Sequence, residues 1–329
     1  MQYSLILARE DLASLVRAAA PGPCVHVASR GALLAAAREH PRAAAFVDFE
    51  LLPLLDGAAV SGPIIGIVDE TRAEPIRALT SIPWLSHLVT AEMLASPSAR
   101  SHLEALLDRL EHGTAPHVIG ATGIGRAALL GNSARREARF ERMREFFATQ
   151  SVSERTIASI SDVAEELVTN ALYDAPAEAG YFQHPVQRTQ HVKLPPEHAC
   201  EISYGIEHGS VFVRVRDPFG ALTRARLMSV LNRCQSAAVA LDESRGGAGL
   251  GLWRIFSTVS TIAITVIPGS LTDILVRIEP RRRRQGGKQL LAVHLFFPAE
   301  QAVDGAQGRF AADHDHDLMD DSFTALYVA

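Results

Sequence analysis

The first 112 residues alternate short apolar runs with segments of helical period, and this alternation restricts the fold more than any other feature of the chain. Residues 3–8 form an apolar run, followed by a helical stretch over 12–20 and the breaker Pro21-Gly22-Pro23. Residues 24–29 and 44–49 predict a second and third strand, with a helix over 31–40 between them. Residues 63–68 predict a fourth strand, 85–90 a weak fifth, and 96–111 a closing helix with Leu103, Leu106, Leu107 and Leu110 at helical spacing. Continuously apolar strands are buried on both faces, the habit of a parallel sheet covered by its crossover helices. Five such units fit a flavodoxin-like wrap with its ligand site at the carboxyl ends of the strands.

The segment Ala45-Phe-Val-Asp48-Phe-Glu-Leu-Leu-Pro53 resembles the third strand of a response-regulator receiver domain, which ends in a phosphoacceptor aspartate. That resemblance makes Asp48 the candidate phosphoacceptor. Glu10 and Asp11 lie near the end of strand one, where receivers carry metal-binding acids. Carboxylates gathered around one Mg²⁺ would position a phosphoryl group for attack by one of them. Three departures weigh against phosphorylation. Val68 stands where a receiver has Ser or Thr, the fifth strand lacks the Lys-Pro that supplies a counter-charge, and Ala8-Arg9 put the strand-one acids out of register. The expectation is a receiver-shaped interaction domain with Asp48 as the polar end of a buried strand.

Beyond residue 112 comes a glycine-spaced stretch, read as a linker or opening strand over 113–133, then a charged helix over 134–147. Ser153-Glu154 caps a long helix running to about residue 175. At 100° per residue, Ile157, Ile160, Ala164, Leu167, Val168 and Ala171 fall on one face with Val163 at its edge. Glu166 and Asn170 lie together on the border of that face, an acid and an amide one turn apart. Residues 201–216 read as a hairpin ending in Asp217-Pro-Phe-Gly220. Farther on, Gly246-Gly-Ala-Gly249-Leu-Gly251-Leu252 leads into a helix over 253–259, a loop that can show backbone N–H groups to phosphate. Strands over 261–267, 274–278 and 290–297 are expected to complete an antiparallel sheet.

Singly, each motif has an ordinary explanation: a tight glycine turn, an Asp-Pro turn opener, a solvated helix acid. In this order and spacing they resemble the GHKL family of ATP-binding domains, over about residues 114–298. Glu166 to Ala171 is similar to its N box, Asp217 to Gly220 to its first glycine box, and Gly246 to Leu252 to its second. The resemblance implies an α/β sandwich with a mixed, largely antiparallel sheet, and ATP and Mg²⁺ as cofactors. It makes Asn170 the Mg²⁺ ligand and Asp217 the acceptor for the adenine amino group. Gly220, Gly247, Gly249, Leu250 and Gly251 would shape the nucleotide and phosphate contacts, and Glu166 would be the catalytic carboxylate. Two positions depart: Phe219 replaces a glycine, and Tyr173-Asp174 stands where a basic residue is common, so that Mg²⁺ or an arginine such as Arg245 must offset Asp174.

The helix over 134–147 contains no histidine, which disfavours an autophosphorylating histidine kinase, and a transducer domain as in gyrase is not expected. The compact form resembles the serine kinases of bacterial partner-switching systems. A nucleotide-gated binding module without turnover, and a histidine-kinase-derived ATPase acting in trans, stay open beside it.

Composition narrows the partners. A net charge of −5 argues against general nucleic-acid binding. Cys24, Cys200 and Cys234 form no paired framework, which fits a reducing cytoplasm, and no apolar run reaches the roughly 18 residues of a membrane span. Partners are expected to be signalling proteins, with homodimerisation open. Arg281 to Arg284 form a basic turn, and the polar, acidic tail 299–329 is expected to lack order until residues 323–328, which could dock on a partner.

Overall fold

The computed structural model describes residues 4–55, 62–113, 124–207, 209–235, 250–279, 290–298 and 324–327. The glycine positions Gly247 and Gly249, Arg245, the Arg281 to Arg284 turn and most of the tail lie outside the described residues.

The first half runs β1 (Ser4–Leu7), α1 (Glu10–Ala19), β2 (Cys24–His26), α2 (Arg30–Glu39), β3 (Ala44–Asp48), β4 (Ile64–Val68), α3 (Pro75–Ser81), β5 (His87–Thr90), α4 (Ala91–Leu94) and α5 (Ala99–His112). Its strands pair in parallel in the order β2-β1-β3-β4-β5. Alternation in the strands feeds both faces: Leu5, Leu7, Ala45 and Val47 enter one apolar cluster, while Ile6, Ala44 and Phe46 enter the other. Leu33 of α2 and Leu79 of α3 cover the first face, and Leu12 of α1 and Leu103 of α5 the second. Every strand side chain in β1, β3 and β5 is buried, as continuously apolar sequence requires.

The second half runs β6 (Ile124–Leu130), α6 (Arg136–Thr149), α7 (Glu154–Thr169), α8 (Ala175–Glu178), β7 (Cys200–Glu207), β8 (Ser210–Asp217), α9 (Arg224–Gln235), α10 (Leu250–Thr258), β9 (Thr261–Ile267), β10 (Leu271–Ile278), β11 (Ala292–Phe296) and β12 (Thr324–Tyr327). β6, β7, β8, β10 and β9 form antiparallel neighbours. Ser153 accepts a bond from the Thr156 backbone N–H and starts α7. The helix buries Ile160, Val163, Ala164, Leu167 and Val168, the stripe read from its period.

Two features differ from the sequence reading. β11 lies parallel to β9, which fits the mixed, largely antiparallel sheet but not the antiparallel place expected for 290–297, and β11 also pairs antiparallel with β5. It thereby joins the two halves into one twelve-stranded sheet. No local pattern announces this, because β11 is equally apolar whichever neighbour it takes. Around it, His102 and His294 share a hydrogen bond of 2.8 Å, and Arg224 donates to the Pro83 and Leu85 carbonyls at 2.8 and 2.6 Å. Second, Thr324–Tyr327 of the tail pairs with β6 of its own chain.

Candidate functional site

Glu166 and Asn170, Asp217 and Leu252, one or two residues from each candidate motif, line one cleft between α7, α8, α9 and α10 above β8 and β10. Leu167, Ala171, Val215, Leu222, Leu252 and Ile274 give it an apolar lining, and Glu166, Asn170, Asp174, Glu178, Asp217, Arg226 and Thr272 supply the polar groups.

One helical irregularity aligns the acids and the amide. Between α7 and α8, Asn170–Asp174 forms a single π-turn, in which the Ala175 N–H reaches back to the Asn170 carbonyl. Pro176 follows at once and has no N–H to continue an α-ladder. In an α-helix, positions four apart drift by about 40°, so Glu166, Asn170, Asp174 and Glu178 would spread over about 120°. The extra residue of the π-turn gives back about 100° of that drift, and all four line the same cleft.

Asp217 ends β8 on the cleft floor and is only 7% exposed. Burial among apolar neighbours pushes its carboxyl up to about 6, while the N–H groups of Phe219 (3.0 Å) and Gly220, with Thr272 beside it, keep it from rising further. Thr272 stands directly across the β8–β10 pairing from Asp217. Gly220 has φ +57°, and a Cβ there would strike the Ile267 carbonyl, so glycine is required by both dihedral and space. Phe219, the departure in this box, is buried with its ring stacked on His198 (centroids 5.5 Å apart) and edge-on to Tyr181 (5.6 Å). It therefore ties the segment after α8 to the end of β8.

Gly251, in the first turn of α10, lies against Glu166: a Cβ at this position would overlap the Glu166 carboxylate. α7 and the start of α10 are thus in contact, although Gly247 and Gly249 lie outside the described residues and Leu250 is described only in its backbone. Burial raises the Glu166 carboxyl above its usual range, opposed by the Arg188 guanidinium 3.5 Å away. Arg188 also donates to Asp174 Oδ2 at 2.5 Å and to Asn170 Oδ1 at 3.4 Å. It was not legible as a site residue, because it sits in an irregular segment without periodicity. The signal available was indirect, namely the unpaired charge of Asp174 beside Asn170.

A second polar cluster occupies the carboxyl ends of β1, β3 and β4. Asp48 is buried at the end of β3, and burial raises its carboxyl above the usual range. Arg9, from the turn between β1 and α1, lies 3.9 Å from Asp48 and donates to Asp69 at 2.8 Å and to Asp11 at 3.2 Å. A guanidinium thus sits among the carboxylates at the carboxyl ends of these strands. Glu10 turns away to Arg17 and His26, and Thr90 caps α4 by accepting from Met93.

Among the described residues no helix is long and apolar enough to cross a membrane, and no group of three or more His, Cys, Asp or Glu is arranged to hold a metal ion. No protein-family model and no curated protein matches this sequence. A chain from the crystal structure of the SiaB–SiaC complex of Pseudomonas aeruginosa is similar over 46% of this chain and 88% of its own, at 16% identity and a TM-score of 0.32, a likeness too slight to carry function.

Proposed function

We propose that the chain is a Mg-ATP-binding signalling protein of the GHKL type, working as a kinase-like regulator of partner proteins through its second half. The supporting observation is the buried carboxylate of Asp217 on an apolar floor, with Asn170 and Glu166 on one helix face lining the same cleft. Asp217 would accept a hydrogen bond from the adenine amino group, and the apolar lining would hold the base. The carboxamide oxygen of Asn170 is a hard neutral ligand suited to Mg²⁺ that is otherwise held by phosphates and water. When bound, that ion would neutralise phosphate charge. Glu166, with a carboxyl raised above its usual range by burial, would orient or deprotonate an attacking hydroxyl, either of water or of a partner's serine.

In this reading the first half is a receiver-shaped interaction domain. Its strand order β2-β1-β3-β4-β5 supports that assignment, and Arg9 in the acid pocket supports a domain that is not phosphorylated at Asp48. The ion pair of Glu166 with Arg188 favours a second reading, in which nucleotide is bound and switches partners without being turned over. Incubation of the purified protein with radiolabelled Mg-ATP and candidate partner proteins separates the two. Label transfer or phosphate release, abolished in Glu166→Gln, supports the kinase or ATPase; binding with neither supports the switch. Absence of any nucleotide binding rejects both.

A further inference from the structure

Resting on the nucleotide reading of the cleft, one residue outside every recognised motif acquires a role. The polar groups lining the cleft include four carboxylates, from Glu166, Asp174, Glu178 and Asp217, beside the guanidinium of Arg226, which pairs with Glu178. A polyphosphate carries net negative charge even with Mg²⁺, so such a cleft would repel it at the Asn170 end without a further cation. Arg188 stands at that end, within reach of Asn170, Asp174 and Glu166 at once.

We propose that Arg188 is the phosphate-selecting residue of this cleft: its guanidinium bridges Asp174, Glu166 and Asn170 in this structure and moves onto the phosphate oxygens when a nucleoside polyphosphate enters. The segment that carries it is anchored on both sides. Tyr173 donates to the Gln190 carbonyl at 2.8 Å, and Gln187 N–H bonds the Gln190 side chain at 2.6 Å. Val192 and Leu194 are buried, and their N–H groups bond Ser133 Oγ (2.9 Å) and the Gly131 carbonyl (2.7 Å). Tyr181 and His198 pack on Phe219 beside Asp217. Arg188 is therefore delivered to the cleft by an anchored segment, while its own side chain is 36% exposed, with solvent on one side of it. A planar guanidinium fork suits phosphate as well as it suits carboxylate. The transfer has a second effect: it removes the cation from Glu166, so arrival of phosphate releases the carboxylate that would act on it.

The test is calorimetric titration of the full chain and of Arg188→Ala and Arg188→Lys with adenosine, Mg-ADP and Mg-ATP, with thermal unfolding of each variant as the fold control. The wild type should bind all three, Mg-ATP most tightly. Arg188→Ala should lose about 10- to 100-fold in Mg-ATP affinity, as expected for charge-assisted bonds, while its adenosine affinity stays within about twofold. Arg188→Lys should recover part of the loss. Mg-ATP binding unchanged or tightened in Arg188→Ala overturns the proposal, as does an equal loss for adenosine. Wild-type protein that binds none of the three overturns the nucleotide reading itself and this role with it.

Discussion

Under the proposed adenine contact, the buried carboxyl of Asp217 makes nucleotide binding depend on pH in a calculable way. Its folded pKa of about 6 stands above the 3.8 of a free aspartate, because burial penalises the charged form. Only the carboxylate offers the adenine amino group an acceptor without a competing O–H. At about pH 5, one unit below that pKa, roughly one molecule in eleven carries the charge, so adenosine affinity should fall about tenfold from its value at about pH 8, or ~1.4 kcal/mol. Adenosine is the right probe because it has no phosphate to titrate over this range. The same shift makes a statement about stability. A carboxyl with a raised folded pKa stabilises the fold below its unfolded pKa of 3.8, and that contribution is lost as pH rises through about 6. Asp217→Asn, which stays neutral, should therefore be more stable at pH 7 by up to about 3 kcal/mol, while binding adenosine weakly and with no pH dependence. Binding is read by calorimetry between about pH 5 and pH 8, stability by urea denaturation. Wild-type affinity that does not change with pH, or Asp217→Asn that keeps wild-type affinity, refutes the reasoning.

Three further outcomes follow from geometry. Gly251→Ala places a methyl on the Glu166 carboxylate, so its loss of nucleotide affinity or turnover should shrink in a Glu166→Ala background, a coupling that a double-mutant cycle measures. Burial drives the folded pKa of His87 and His102 down to about 3, and His294 is lowered well below its ordinary value; stability is present above the unfolded pKa of 6.5 and falls as pH drops from there toward 3. That amounts to about 2 kcal/mol for each of His87 and His102 by pH 5, and urea midpoints of wild type and His87→Phe should differ in slope over this range by about one histidine's share. Arg9→Ala leaves the buried Asp48 without its guanidinium and Asp69 with Arg72 alone; it should cost about 1–3 kcal/mol at pH 7, read by urea denaturation.

Much of the architecture was written in local pattern. Apolar runs such as Ala44 to Val47 are legible as doubly covered strands because every side chain is buried, and the α7 stripe is legible because helix period and burial coincide. Glu166, Asn170 and Asp217 could be read as candidates because each lies at the border or end of a periodic segment, and the structure lines one cleft with all three. What escaped depends on distant pairing. The place of β11 between β9 and β5 is fixed by assembly of the halves, and Thr272 faces Asp217 only through strand register, in a strand that begins earlier than its apolar core suggests. Glu178 was missed because an uninterrupted α-helix would carry it away from Asn170, and only the π-turn before Pro176 brings it back. Arg188 lies in a segment whose order comes from anchors at Tyr173, Ser133 and Phe219 rather than from its own sequence.

The central claim is that an aspartate at the end of β8 selects a purine by its amino group. Its most direct measurement is a paired calorimetric titration of the wild-type chain with Mg-ATP and Mg-GTP at pH 7.5. Saturable binding of Mg-ATP with at least tenfold weaker binding of Mg-GTP is the predicted result. Equal affinity for the two, or no heat from either at millimolar nucleotide, contradicts it.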